Sequence, residues 1–329
     1  MRQILLILTA LALPASALAQ ERRAPRETRP AATQNGTESL SRHLDAALAL
    51  DAAFRALQAQ RDAAAARGAQ VRSPFAGSPF VGGNARSDLR GPNRVGEFEL
   101  EAGAPLWLPG QRGALAGTVQ FAVADVEARI ALRRLEVAGL LRETWWDAAE
   151  ARRAAQLARD RLATARQIGQ AVTRRAQLGD IPPTEALLAR NEVLGAELAL
   201  AQAEAAATQT LAAYRTLTGG LEPNLPQEAP RPEIAGHPAL QAGEASLAAA
   251  QARQRLVVTT PRDNPEVMVF GRQETGNLSS EGTSLGLRFR LPLATEARNA
   301  PRRADAQSEV TRAEAELAQA RRLVQAEVT

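Results

Sequence analysis

The stretch from Gly113 to Gly219 constrains this chain most. From Ala114 to about Leu178 it contains no proline. Val119, Val123, Val126, Ile130, Leu135, Leu141, Trp145, Leu157, Leu162, Ile168 and Val172 recur at helical spacing, with Arg, Glu, Asp and Gln on the other faces. That pattern predicts one amphipathic α-helix. At 1.5 Å per residue, roughly 65 residues span about 95 Å, more than a compact domain uses. The helix ends at Leu178-Gly179-Asp180-Ile181-Pro182-Pro183. Gly179 permits a left-handed cap, and the prolines stop one helix and start the next. Thr184 to Thr218, rich in Ala, Leu, Glu and Gln, reads as a returning helix that stops at Gly219-Gly220.

Aromatic residues make up only 3% of the 329 residues. Alanine fills their place, which suits helices packed along their length rather than a bulky centre. All basic side chains are Arg, and acidic residues are interleaved with them, so a nucleic-acid surface is a poor reading. The absence of cysteine excludes disulfides, thiolate metal sites, cysteine nucleophiles and a lipidated N-terminal Cys.

Residues 1–19 read as a signal peptide. Arg2 supplies the positive start, Ile4 to Leu13 the apolar run, and Ala17-Leu18-Ala19 the cleavage site. No later stretch is long and apolar enough for a transmembrane helix, so any membrane insertion must use β-strands. Residues 20–38 are rich in Arg, Pro and Thr and read as disordered. A helix is expected over Ser39 to Gly68, then strands within Ser73 to Gly113. After the long hairpin come a Pro-rich linker over 220–236, a helix from His237 to about Thr259, and strands within Thr260 to Pro292. A last helix begins near Arg298.

The order helix, two strands, helix therefore occurs twice, which makes 39–219 and 237–329 two repeats. Ser78 to Arg86 aligns with Asn264 to Arg272, and Phe98 to Leu106 aligns without a gap with Leu285 to Leu293. In the latter pair Phe98, Leu100, Ala102 and Ala104 alternate with Glu97, Glu99, Glu101 and Gly103. Leu285, Leu287, Phe289 and Leu291 alternate with Ser284, Gly286, Arg288 and Arg290. Such alternation makes one apolar and one charged face. Alternation alone fits a soluble sheet lying on helices as well as strands facing lipid; the signal peptide and the missing lipid anchor favour lipid. Four strands cannot close a barrel, and open edges do not stand in lipid. Three chains would supply twelve strands.

These residues resemble the outer-membrane efflux (TolC-like) family. The resemblance rests on the tip Leu178-Gly179-Asp180-Ile181-Pro182-Pro183-Thr184-Glu185, on Leu187 to Glu192, and on Leu217-Thr218-Gly219. It also rests on Ala104-Pro105-Leu106 with Gln111-Arg112-Gly113, on Leu291-Pro292-Leu293 with Ala297-Arg298-Asn299, and on His237-Pro238-Ala239-Leu240. The passage at Leu291 to Asn299 is most similar to the cobalt–zinc–cadmium cation efflux branch. The resemblance implies a mainly α fold with a small β part. Long helical hairpins would form a periplasmic tunnel, and four strands per protomer would contribute to a trimeric twelve-stranded outer-membrane barrel. It implies a homotrimer working with a periplasmic adaptor and an inner-membrane pump. Such a channel is a passive conduit, without cofactor or catalysis, whose cargo in the cation branch is heavy-metal ions. The second repeat reaches only Thr329, so the chain reads as C-terminally truncated, with Val310, Leu317, Leu323 and Val324 of the last helix lacking an intrachain mate.

Within that frame, Glu99, Glu101, Arg288 and Arg290 are expected in the barrel lumen, with Leu100, Leu285, Leu287 and Phe289 against lipid. Leu178, Gly179, Asp180, Ile181 and Pro182 are expected to dock the adaptor. Arg174, Arg175 and Glu185 flank them as candidate gate ion pairs. His43 and His237 read as packing or capping residues rather than metal ligands, and Trp145-Trp146 as packing at a helix or subunit seam. No catalytic constellation stands out. Two other classes share features of this chain: a periplasmic coiled-coil adaptor, which would carry β-domains around one hairpin, and an exported enzyme.

Overall fold

The computed structural model describes residues 35–88, 95–223, 236–276 and 282–328. The expected signal peptide, most of the 20–38 segment and most of the 220–236 linker lie outside them. The chain divides into Met1–Asn35 and Gly36–Thr329, and the second unit carries the elements that follow.

The helix expected over Ser39 to Gly68 is interrupted. It forms α1 (Asn35–Leu50), α2 (Ala52–Ala66) and the short α3 (Gly68–Arg72). Asp51 makes the break. Its extended backbone and side-chain carboxylate cap α2, accepting from the Phe54 N–H at 2.6 Å. Arg133 donates to both of its carboxylate oxygens, at 3.1 and 2.7 Å. An acid in an alanine-rich run was thus a helix start. The helix α1 also begins at Asn35, so the last residues of the segment expected to be disordered are helical.

Four strands follow in two hairpins: β1 (Phe80–Ser87), β2 (Val95–Pro105), β3 (Glu266–Gly276) and β4 (Gly282–Arg290). They form one antiparallel sheet in the order β1-β2-β3-β4. The two hairpins have the same register. Phe80 lies opposite Gly103 in the first, and Glu266 opposite Arg290 in the second. These are the residues that the two gap-free alignments equate. The repeat is therefore structural as well as sequential. Gly103 admits close packing, because a Cβ there would stand 2.4 Å from Met268 and 2.8 Å from Phe80.

The helix α4 (Gln111–Gln177) is 67 residues long, roughly 100 Å at helical rise. The helices α5 (Pro183–Thr218) and α6 (Pro238–Thr259) both run against it, as does α2. One core sits where α1, α4 and α5 meet, built from Leu141, Trp145 and Tyr214 with Leu44 and Leu217 around them. Ala47, Leu48 and Val137 continue it. Between α4 and α5 the contact is close enough that a Cβ on Gly169 would stand 3.2 Å from Val193.

The last helix, α7 (Glu296–Val328), does have an intrachain mate, contrary to expectation. It packs on α6, burying Val310 and Ala313 against Ala250 and Leu247. Leu317 lies over Gly243, where a Cβ would come within 2.9 Å, and Val324 is also buried. Of the four apolar residues singled out, only Leu323 remains exposed. The missed partner was the helix preceding the strands, whose alanines and glycine form a surface with almost no periodic signal.

Candidate functional site

Strand alternation sorts the sheet into two chemically opposite faces. One face carries Val81, Phe98, Leu100, Val267, Val269, Leu285, Leu287 and Phe289, all exposed in the single chain. Leu285 is 81%, Leu287 74% and Phe289 80% accessible. Each such side chain would gain roughly 1.5 to 3 kcal/mol on leaving water. A sheet with this face bare is built for an apolar surrounding.

The other face is ionic. Glu99, only 6% accessible, accepts from Arg272 at 2.9 Å and from Arg288 at 2.7 Å. Arg288 also donates to Glu101 at 2.7 Å. Arg272 reaches Glu97 at 3.0 Å and Glu274 at 3.5 Å, which offsets the repulsion of two glutamates placed directly opposite each other. Phe270 lies over Gly286, and the Arg288 guanidinium stands 4.7 Å from its ring centroid. Arg290 sits at the rim, 3.8 Å from Glu266. Glu99, Glu101, Arg288 and Arg290 thus share one face, and Leu100, Leu285, Leu287 and Phe289 the other. Glu97, placed on this face by the alternation, joins the network through Arg272, and Arg272 and Glu274 complete it and were missed. In β3 the charged face also holds Met268 and Phe270, so the strand does not alternate cleanly. The alignment of Arg86 with Arg272 was the available signal.

A polar joint connects sheet to helices. Asn264 donates to the Leu106 carbonyl at 2.8 Å and to Gln111 at 2.6 Å, and Gln111 accepts from the Leu108 N–H at 2.9 Å. In the second repeat Asn299 donates to the Pro261 carbonyl at 2.8 Å, and Arg298 pairs with Asp263. Hydrogen bonding from Arg298 holds the Asp263 carboxyl below the usual range and raises the Arg298 pKa. Gln111, Arg298 and Asn299, noted above as motif residues, are joints between strand and helix.

At the far end of α4 the turn is a Schellman closure. Gly179, at φ +79°, donates its N–H to the Ala176 carbonyl at 3.2 Å, and Asp180 donates to the Arg175 carbonyl at 3.1 Å. Leu178 points outward, 74% exposed. Pro182 precedes α5 with Pro183 in its first turn. Arg175 stands 4.0 Å from Asp180. Arg174 instead lines a groove between α4 and α5 with Arg166, Arg190, Thr173, Leu187 and Val193. The structure therefore brings Leu178 to Pro182 together at one exposed end. Within the chain Arg174, Arg175 and Glu185 form no ion pair with one another, and Arg175 pairs with Asp180 instead.

His43 and His237 have structural places. His237 caps α6, its Nδ1 accepting from the Ala239 N–H at 3.2 Å. His43 is buried in α1 with Nδ1 2.5 Å from the fully buried Tyr214 hydroxyl. Burial lowers the His43 pKa and pushes that of Tyr214 up to about 12. Trp145 joins the core, while Trp146, edge-on to it at 4.7 Å, is exposed. Among the described residues no helix is long and apolar enough to cross a membrane, and no His, Asp and Glu cluster has metal-binding geometry.

No family model and no curated relative matches this sequence. Solved structures do. The chain shares its fold with outer-membrane channel proteins. The outer membrane protein VceC of Vibrio cholerae superimposes with a TM-score of 0.67 at 15% identity, over 88% of this chain and 77% of that one. The Campylobacter jejuni CmeC outer membrane channel gives 0.64 at 16% identity, over 94% and 75%. The open Neisseria gonorrhoeae MtrE outer membrane channel gives 0.58 at 17%, over 87% and 70%. This likeness bears out the mainly helical fold with one small sheet, the fold implied by the sequence resemblance.

Proposed function

We propose that this chain is the outer-membrane channel subunit of a tripartite efflux system. Three copies join their sheets into a twelve-stranded barrel, and their helices continue it as a tunnel into the periplasm. The observation that carries this reading is the two-faced sheet: a bare apolar face for lipid, and behind it a hydrogen-bonded Glu–Arg network suited to a water-filled lumen. In this reading Glu99, Glu101, Arg288 and Arg290 line the lumen, and the channel passes substrates without chemistry of its own. The turn Leu178 to Pro182 docks a periplasmic adaptor. Gly179 leaves open space for an approaching backbone, and Leu178 offers an exposed apolar anchor. Arg174, Arg175 and Glu185 exchange ion pairs between neighbouring copies to hold the entrance shut. Heavy-metal cations as cargo rest on the resemblance at Leu291 to Asn299 alone, because Arg298 and Asn299 act here as joints.

The test is insertion and conductance. The full chain expressed with its leader is expected in the outer-membrane fraction as a trimer, and to conduct ions when purified and placed in planar bilayers. Recovery as a soluble periplasmic monomer would overturn the reading and favour a coiled-coil protein of the periplasm. Cation cargo is checked separately, by metal tolerance of cells with and without the gene.

A further inference from the structure

Within the four-stranded sheet, β1 and β4 each have one neighbour, so each presents an unpaired edge. The repeat determines how two such edges fit. By the two alignments, β4 is the counterpart of β2 and β1 is the counterpart of β3. The β2–β3 pairing inside one chain is thus the template for a β4–β1 pairing between chains. In that template Leu100 lies opposite Gly271, Glu101 opposite Phe270 and Gly103 opposite Met268. We propose, building on the oligomeric reading above, that β4 of one copy pairs antiparallel with β1 of the next in one register. In that register Leu287 lies opposite Ala85, Arg288 opposite Asn84, Gly286 opposite Arg86 and Arg290 opposite Gly82.

Physical arguments independent of the repeat disfavour neighbouring registers. A slip of one residue would put Leu287 and Phe289 on the ionic face of the neighbouring strand. A slip of two in one direction would set Arg288 directly opposite Arg86, two like charges in contact. In the proposed register Arg86 faces Gly286, which carries no side chain, and Arg288 faces the neutral Asn84. Apolar then meets apolar across the seam: Leu287 with Ala85, and Phe289 with Gly83. The edges are different surfaces, so the contact is head-to-tail and produces a closed ring when the rotation completes a turn. The shared hairpin register supports the template, because one offset already reproduces a pairing it was not drawn from.

The chain has no cysteine, so introduced pairs report alone. Ala85→Cys with Leu287→Cys is tested in the full chain in isolated outer membranes, by oxidation and denaturing electrophoresis. Residues directly opposite have Cα atoms about 4.5 to 5.5 Å apart, within disulfide reach, whereas diagonal neighbours are at about 7 to 8 Å. Within one chain the two positions lie on opposite edges of the sheet, whose strands are about 14 Å apart at ordinary spacing, and Leu287 is further displaced along β4 from Thr283, the residue level with Ala85, so only an intermolecular bond forms. The expected result is a reducible ladder of dimers and trimers. Gly83→Cys with Leu287→Cys, and Ser87→Cys with Leu287→Cys, should give several-fold less. A stronger ladder from either control pair would overturn the register and leave the ring intact. No ladder from any pair, in protein that still sizes as a trimer, would overturn the edge pairing. Protein that sizes as a monomer would overturn the oligomeric reading and this inference with it.

Discussion

Tyr214→Phe is the most informative single change in the helical body. The hydroxyl is fully buried between Leu141, Trp145 and Leu217, and it is hydrogen-bonded to His43 on α1. Phenylalanine fits the same space, so no cavity opens. What remains is a buried imidazole nitrogen without its partner, a loss of about 1 to 3 kcal/mol. Removing both polar groups, as in His43→Leu with Tyr214→Phe, should recover much of that. The same pair predicts two pH limits. The folded Tyr214 ionises near pH 12 and the unfolded chain near pH 10. Above pH 10 the unfolded state therefore loses protons first, and stability falls by roughly 2 to 3 kcal/mol before levelling near pH 12. His43 has the opposite placement. Its folded pKa is lowered, so as pH falls below about 6.5 the unfolded chain takes up the proton first and stability declines until the folded value is passed. Urea unfolding of the detergent-solubilised protein, followed by tryptophan fluorescence, reads these changes because Trp145 packs in the same cluster. An unchanged midpoint in Tyr214→Phe would refute the argument. So would an alkaline loss that persists undiminished in that variant.

Asp51→Asn keeps a cap for α2 but loses the ionic contact to Arg133, while Asp51→Ala loses both; the second should cost about 1 kcal/mol more in the same unfolding assay. The Arg133 hydrogen bond holds the Asp51 carboxyl below its ordinary value, so its contribution is complete above about pH 4 and disappears as pH falls through the folded pKa, which Asp51→Asn should abolish. Gly179→Ala places a side chain at φ +79° and should cost about 1 to 2 kcal/mol locally, read as faster proteolysis at the turn with the sheet and core unchanged. Leu287→Arg should reduce trimer yield in outer membranes by a depth-dependent penalty of about 2 to 4 kcal/mol at mid-bilayer, whereas Gly282→Arg on the ionic face, directly opposite Glu274, should not; equal yields would remove the lipid assignment.

The sequence made the long hairpin and the strand faces legible for different reasons. The tip was readable because Gly179 and the two prolines have few alternative uses, and the Schellman closure follows from them. The faces of β2 and β4 were readable because alternation there is strict. The Arg272 hub was not, since Met268 and Phe270 occupy its face of β3. The break at Asp51 was hidden because an isolated acid in an alanine-rich run looks like an ordinary helical surface residue until Arg133 is brought beside it from 82 positions away. Local pattern carries no information on a partner that distant.

The choice of helix partners shows the same limit and explains how the body is assembled. A 67-residue helix cannot be covered by one shorter helix, and α4 is covered by α5 along one part and α6 along another. The helix α6 must then serve α4 and α7 at once. Large side chains would satisfy one neighbour and block the other. Ala242, Ala249, Ala250 and Ala252 are buried, and Gly243 lies under Leu317, so the buried positions of α6 are small apart from Leu247 and α7 supplies most of the large side chains between them. This is why α6 has little hydrophobic periodicity and why the sequence pattern does not reveal it as the partner of α7. A bulky residue at Gly243 is therefore expected to separate α7 from α6 while leaving the α4–α5 hairpin in place. Hydrogen exchange can check this as loss of protection confined to residues near Leu317, and loss extending through α5 would contradict it.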